Sequence, residues 1–534
     1  MDFDKVLFIC GFIVFVFLLF TLGRLELTLL AFLPLTIAWF WILGIMNICD
    51  IHFNIVNIIL AAFIFGQGDD YTIFMTEGLM YEYTYKRKLL ASYKNTITLS
   101  SLIMFIGIGS LILAQHPALH SLAAITIIGM GSVVLMAFLL PPVIFRWLTL
   151  KKGKRRLIPI TFANIISSVY SFTVFLVGSL IASIVGVSLF TFGKTDKKKQ
   201  RFHRLITWMA RFVVVRIPRV KTRYNNFDKT IFDKPAVIIC NHQSHLDLMC
   251  VMSLTPKLII LTNDWVWNSP FYGRLIKYAD FYPVSNGIEN AMDKLQAIVE
   301  KGYSVMIFPE GTRSEDCAIQ RFHRGAFYLA EQLKLDIIPV VIHGVGHLLP
   351  KKEFMLRKGE IHINVMPRMA YNAMGETYAE SAKNMRIFYK EAYAKIAAEV
   401  ETADYYSDLA LHNYIYKGPS VERAVRRNLK KHNNYRDIIA QLKNKNRVLI
   451  VNSGYGELPL LLSLVHKNMN IVATDTDIDK LELAANCTWV KEHLKYAETV
   501  SQDEKFDAVV LINPTEEQCV MWKNAGTELY ILDA

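Results

Sequence analysis

No Cys-x-x-Cys pair occurs among the seven cysteines, which stand at positions 10, 49, 240, 250, 317, 487 and 519. That scatter excludes a disulfide framework and suits thiols kept reduced. A Gly-x-Ser-x-Gly elbow is also absent, so an acyl-enzyme on a serine is not the natural chemistry. His245, His323, His343 and His347 have no ligand partner at regular spacing, and no metal is expected. Acidic residues are the scarcer charge, 47 against 59 lysines and arginines, for a net charge of +12. The excess gathers beside apolar runs, at 151–156 and 194–201, which favours anionic lipid headgroups over nucleic acid. Between 157 and 193 there is no charged residue at all.

What is present is long and apolar. A chain of 534 residues implies several domains, and 53% hydrophobic residues with a mean hydropathy of +0.27 is too apolar for a wholly soluble protein. Apolar runs near 6–22, 27–48, 54–76, 96–114 and 122–148 each approach the roughly 20 residues that cross a bilayer. Residues 1–150 are therefore expected to form an α-helical bundle of five transmembrane helices. The loop with Lys86, Arg87, Lys88 and Lys94 and the exit at 151–156 are basic, while 50–52 and 115–120 carry no lysine or arginine. The basic loops are expected in the cytoplasm. Residue 1 would then lie outside, and with no signal peptide the bundle reads as the second half of a polytopic protein. The charge-free run has two basic flanks, so a hairpin dipping in from the cytoplasmic side is expected over 151–200, with a break near Gly178 or Gly186. In the third run Gly66-Gln67-Gly68-Asp69-Asp70-Tyr71 places two carboxylates near the midplane, where charge is costly. This stretch resembles the Gly-x-x-x-Asp-Tyr region of resistance-nodulation-division and MMPL-type exporters. The resemblance implies that Asp69 and Asp70 relay protons, in company with a first transporter half. The alternative is that the pair caps a broken helix or packs against a partner.

From 201 to 403 strand-like runs alternate with helical stretches, the pattern of an α/β layer. After the first run comes Asn241-His242-Gln243-Ser244-His245-Leu246-Asp247, and after the third comes Phe308-Pro309-Glu310-Gly311-Thr312-Arg313-Ser314. A histidine with an aspartate five positions on suits a general base oriented by a carboxylate. The nucleophile would be the substrate's own hydroxyl, attacking a thioester directly. Both motifs match the Asn-His-x4-Asp and Phe-Pro-Glu-Gly-Thr-Arg signatures of the glycerolipid, or lysophospholipid, acyltransferase family, and the domain resembles that family. The resemblance implies that His242 is the base, that Asp247 fixes it, and that Glu310, Gly311, Thr312 and Arg313 hold the acceptor's phosphate. The expected reaction moves a fatty acyl group from acyl-CoA or acyl-ACP to an acceptor such as 1-acylglycerol-3-phosphate, with no cofactor. One departure stands out. The family's Phe-x-x-Arg element corresponds here to Phe281-Tyr282-Pro283-Val284-Ser285-Asn286, which lacks the arginine, and Arg274 lies a few residues upstream.

The stretch 404–445 is polar and basic and reads as a solvated helical connector. Beyond it, 446–534 opens with Arg447-Val448-Leu449-Ile450-Val451-Asn452-Ser453-Gly454-Tyr455-Gly456-Glu457, and a second strand ends at Asp475, a partial Rossmann-like α/β pattern. It resembles class I S-adenosylmethionine-dependent methyltransferases, which implies S-adenosylmethionine held by Gly454, Gly456 and Asp475. Here Asn452 stands for the first glycine and Ile450 for the acidic residue. The expected whole is multidomain: half a transporter bundle, a cytoplasmic acyltransferase and a degenerate methyltransferase-like tail, in the order of fusions of those three families. Its expected place is the bacterial inner membrane, with membrane lipids as partners and the acyltransferase and C-terminal domain in the cytoplasm. Two rival functions stand beside acyl transfer: a lipid or polyene exporter subunit whose soluble domains bind or modify cargo, and a methyltransferase.

Overall fold

The computed structural model describes residues 2–52, 58–262, 264–269, 273–283, 291–431, 433–501, 504–524 and 527–532. Two compact units result, 1–162 with 401–534, and 163–400. The first begins with five helices, α1 (Asp2–Leu22), α2 (Leu25–Ile48), α3 (Ile58–Tyr85), α4 (Leu90–Gly109) and α5 (Pro117–Thr149). Among the described residues Leu25–Ile48, Leu90–Leu113 and Pro117–Thr149 are long and apolar enough to cross a membrane, and Phe8–Leu22 is a shorter apolar stretch. Phe12, Phe20, Ile103, Ile106 and Val143 face outward, as lipid-facing positions do. Helix α3 runs unbroken through 66–71, so no helix end exists there for the aspartates to cap. Gly68 explains the close packing at this point, since a Cβ there would meet Leu35 and Val133 side-chain atoms at 2.6 Å. Asp69 is buried and Asp70 exposed. Adjacent helical residues diverge by about 100°, so the two carboxylates do not share one face.

The second unit opens with α6 (Phe162–Phe190), also of membrane-crossing length and apolarity, followed by α7 (Asp196–Val215). A hairpin confined to 157–193 is not what forms. α6 is one continuous helix, and the return is made by α7. The glycines expected to break it serve close approach instead: a Cβ on Gly178 would lie 3.0 Å from Met209, and one on Gly186 2.9 Å from Tyr278 and 3.1 Å from Phe202.

Seven strands follow, β1 (Val220–Asn225), β2 (Val237–Cys240), β3 (Leu258–Thr262), β4 (Tyr282–Pro283), β5 (Ser304–Ile307), β6 (Ile337–His343) and β7 (Gly359–Val365). Their order is β1-β7-β6-β2-β5-β3-β4, and every pairing is parallel except β6 with β7. β2 is wholly buried, as a strand covered on both faces must be. Ile238 and Cys240 pack into one core with Phe202, Ile206 and Met209 of α7. Val237 and Ile239 pack into the other with Leu295, Phe327 and Tyr389. Tyr389, on helix Tyr378–Val400, also bonds the sheet: its hydroxyl donates to Ile239 O (2.8 Å) and accepts from Val340 N–H (3.1 Å). Because β2 and β5 are parallel neighbours, His242 and Glu310 leave the sheet at the same edge, where such folds place their sites.

In the remainder of the first unit five parallel strands, β8 (Arg447–Val451), β9 (Asn470–Thr474), β10 (Leu494–Ala497), β11 (Ala508–Ile512) and β12 (Glu528–Leu532), lie in the doubly wound order β10-β9-β8-β11-β12. The connector proves to be part of this domain. Tyr406, Tyr414, Val425, Ile438 and Leu442, on or between its helices, are buried in one core with Val448, Ile450 and Leu461. Arg423, Arg427, Lys430 and Lys443 lie on outer faces of its helices while Lys417 is buried and donates to Leu483 O (2.9 Å), and the exposed cations are why its composition reads as solvated. The domain seats on one end of the bundle. Arg24 makes a two-pronged pair with Glu422 (2.5 and 2.7 Å), Arg87 pairs with Asp479 and Glu482 (2.9 and 2.8 Å), and Trp489 Nε1–H donates to Leu157 O (2.8 Å).

Candidate active site

The end of β2 is fixed before any chemistry is placed on it. Asn241 extends the ladder with its side chain, donating to Ile342 O (2.9 Å) and accepting from Ile342 N–H (2.8 Å). His242 comes next. Its Nδ1 faces Asp247 Oδ2 at 2.9 Å, and the same oxygen accepts the backbone N–H groups of Gln243 (2.6 Å) and Ser244 (2.8 Å). Asp247 lies in the first turn of α8 (Leu246–Met252) and has no exposed surface. A carboxylate facing Nδ1 selects the Nδ1–H tautomer and leaves Nε2 as the basic nitrogen. The ring is held in plane by Phe308, stacked at 4.0 Å and 18°, and its side chain keeps 20% of its exposure. The imidazole is thus oriented on one side and accessible on the other.

The second motif is joined to the first through Glu310. One carboxylate oxygen accepts His242 N–H (2.8 Å) and the other accepts Gln320 N–H (2.9 Å). Burial pushes this carboxyl up to about 7, against the opposing effect of those two bonds. Expected as a phosphate ligand, Glu310 instead braces the histidine loop with both oxygens. Gly311 turns with φ of +67°, a conformation open to glycine. Thr312 is exposed and Arg313 half-buried. Burial lowers the Arg313 guanidinium, while the charge of Asp247 acts on it in the other direction. Burial, then the charge of Arg313, brings the neighbouring His245 down to about 4, so that ring is neutral at neutral pH. The loop closes with Ser314 N–H on His242 O (2.8 Å). Phe308 and Asn241, quoted within the motifs without a role, are the residues that set the ring plane and the strand end. Val284, Ser285 and Asn286 lie outside the described residues, and Arg274 is exposed on helix Gly273–Tyr278.

The C-terminal candidates also meet. Gly454 and Gly456 both have positive φ (+59° and +76°), as does Asn452 (+57°). Asn452 and Gly454, though not Gly456, line a cavity of about 320 Å³ together with Ser453, Glu457, Asp475 and Lys480 among others. Yet Gly454 N–H donates to Asp475 Oδ2 (2.7 Å), Asp475 Oδ1 accepts Asp477 N–H (2.9 Å), and the Asn452 amide donates to Ile512 O (3.1 Å) and Gln518 Oε1 (3.0 Å). The carboxylate and loop amide implied to receive an adenosyl group are thus bonded to one another, and both line the cavity.

Comparison with known proteins agrees with the geometry of the second unit. The Acyltransferase family model matches residues 211–343. The chain is 25% identical over 195 residues to the chloroplastic 1-acyl-sn-glycerol-3-phosphate acyltransferase BAT2 of Brassica napus, covering 35% of this chain and 56% of that one. It is 33% identical over 135 residues to the Cocos nucifera 1-acyl-sn-glycerol-3-phosphate acyltransferase (24% and 44%), and 29% identical over 140 residues to the human alpha enzyme (25% and 50%). A crystal structure of the 1-acyl-sn-glycerophosphate acyltransferase PlsC from Thermotoga maritima is similar with a TM-score of 0.38 and 18% identity, over 44% of this chain and 97% of that one. The chain spans about half the length of the curated relatives it matches. Both motifs lie inside the matched residues with their side chains in contact, and residues 211–343 are similar to the Acyltransferase family.

Proposed function

We propose that residues 201–403 transfer a fatty acyl group from a thioester, acyl-CoA or acyl-ACP, to the free hydroxyl of a lysophospholipid-type acceptor such as 1-acylglycerol-3-phosphate. The observation that carries this reading is the His242 ring, oriented through Nδ1 by Asp247, backed by Phe308 and accessible at Nε2. Nε2 takes the acceptor's hydroxyl proton as its oxygen attacks the thioester carbonyl. The C–O bond forms, the C–S bond breaks, and the imidazolium returns the proton to the departing thiolate. Arg313 and Thr312 meet the acceptor's phosphate. His242 and Asp247 are the catalytic pair, and Glu310 is a positioning residue.

The protein works at a membrane in this proposal, that of the bacterial cytoplasmic compartment, because its product carries two acyl chains and each buried CH₂ adds about 0.8 kcal/mol to membrane retention. The bundle keeps a transporter-like role on one observation: Asp69 is buried in an apolar bundle with Oδ1 lacking a hydrogen-bond partner among the described residues, the usual setting of a functional intramembrane carboxylate. The doubly wound sheet at 447–532 supports methyltransferase-like ancestry without assigning it a reaction. The test is radiolabel transfer by the detergent-solubilised chain, with acyl-CoA or acyl-ACP as donor and lysophosphatidate as acceptor. Diacylated product is expected. Label incorporated only from S-adenosylmethionine would contradict the proposal.

A further inference from the structure

Lys351 belongs to neither motif, yet the fold delivers it to the second one. The segment after helix Val345–Leu348 is tied to the first motif by Ser244, whose hydroxyl donates to Leu349 O (2.8 Å). Two residues on, the Lys351 ammonium donates to Arg313 O (2.8 Å) and lies 3.3 Å from Thr312 Oγ1. Its side chain retains 23% of its exposure, and its acidic neighbour Glu315 stands off at 3.9 Å while pairing with Lys352 at 2.7 Å. Loops from β2, β5 and β6 therefore converge on one exposed hydroxyl and two cations.

Charge balance says what such a site takes. A phosphate monoester carries about −1.5 to −2 charges at neutral pH. Arg313 supplies one positive charge, and the negative charge of Asp247 already acts on it. His245, neutral at that pH, adds none. One guanidinium cannot neutralise a dianion, and burying an uncompensated charge is costly. We propose that Lys351 is the second cation: with Arg313 and the Thr312 hydroxyl it binds the terminal phosphate of the acceptor and selects phosphate-bearing acceptors. The inference rests on the lysophospholipid reading above and adds to it the residue that sets headgroup preference. A lysine acts here as a point charge with three donors, so arginine can replace its charge while glutamine cannot.

The experiment is steady-state kinetics of the full-length chain in detergent micelles, for wild type, Lys351→Gln and Lys351→Arg. The expected result is a 10- to 100-fold rise in KM for lysophosphatidate in Lys351→Gln, a KM for the acyl donor within threefold of wild type, and recovery of most of the loss in Lys351→Arg. A lysine that only braced the loop would move kcat and the donor KM with the acceptor KM, and that pattern overturns the inference. So does an unchanged lysophosphatidate KM in an active Lys351→Gln enzyme, which would leave the acyltransferase reading intact. A wild type that acylates no phosphate-bearing acceptor removes both.

Discussion

Glu310 shows how one side chain can couple two motifs and make the site sensitive to pH. Both its oxygens accept backbone N–H bonds, from His242 and Gln320, and a protonated carboxyl cannot offer both. Since burial raises this group to about 7, acyl transfer should fall as pH drops below about 7, by up to tenfold per unit. Stability moves the other way. A carboxyl raised by folding contributes stability that is complete below its ordinary value near 4.5 and is lost as pH rises through about 7. Glu310→Gln should remove both trends and lower activity about tenfold, because one backbone N–H then faces an amide NH₂, a cost of about 1–3 kcal/mol. A pH–rate profile of the two forms beside their thermal unfolding checks this, and an acid limb that persists unchanged in Glu310→Gln would contradict it. At this scale the motif residues were legible in sequence because His242 and Asp247 are joined by a single tight turn. The stacking of Phe308 and the approach of Lys351 were not, since both depend on which strands lie side by side. Glu310 was misread for the same reason: nothing in a linear motif says that its carboxylate will be consumed by backbone donors.

Helices α6 and α7 turn on the meaning of glycine. In the sequence Gly178 and Gly186 are the natural break points of an apolar run between basic flanks. In the structure they are contact points, with Met209, Phe202 and Tyr278 occupying the space a side chain would need. Glycine within a helix weakens it by about 1 kcal/mol, but here the loss is offset by packing against α7. The basic flank was expected to stay out of the membrane. Lys197, Lys198, Lys199, Arg201 and Arg204 lie on the first turns of α7, and a charge held at the bilayer centre costs about 2.5–3.5 kcal/mol. Gly186→Leu should force α7 away and destabilise the second unit by about 1–3 kcal/mol, read as a lowered Tm in detergent with helix content retained. An unchanged Tm would mean that the α6 and α7 contact carries no packing energy. The β strands of this unit were easier to locate, because buried parallel strands are unbroken runs of branched apolar residues.

In the chain as a whole, the first unit joins residues more than 300 positions apart, and sequence pattern gave no sign of it. Its contacts include those at 23–24, 84–87, 155–157 and 160, near the end of the bundle where α1, α3 and α5 finish. Gly23 and Pro419 touch there, and the Arg24 and Glu422 side chains keep only 16% and 11% exposure. Removing one partner of so enclosed a pair costs about 2–4 kcal/mol. Arg24→Ala should thus loosen residues 401–534 and speed their proteolysis in the solubilised chain, whereas equal proteolysis rates would show that the pair does not hold the domain. In the tail, likewise, a glycine pattern does not reveal that the Asp475 carboxylate bonds to Gly454 N–H. The central claim, however, concerns the second unit, and one measurement addresses it most directly: transfer of labelled acyl groups from acyl-CoA or acyl-ACP to lysophosphatidate by purified wild type and His242→Ala, each shown to be folded by its Tm. Loss of a general base lowers rates about 10²- to 10⁴-fold. The account predicts robust transfer by wild type and a fall of that size in His242→Ala with the acceptor KM little changed, and wild-type turnover by a folded His242→Ala enzyme would contradict it.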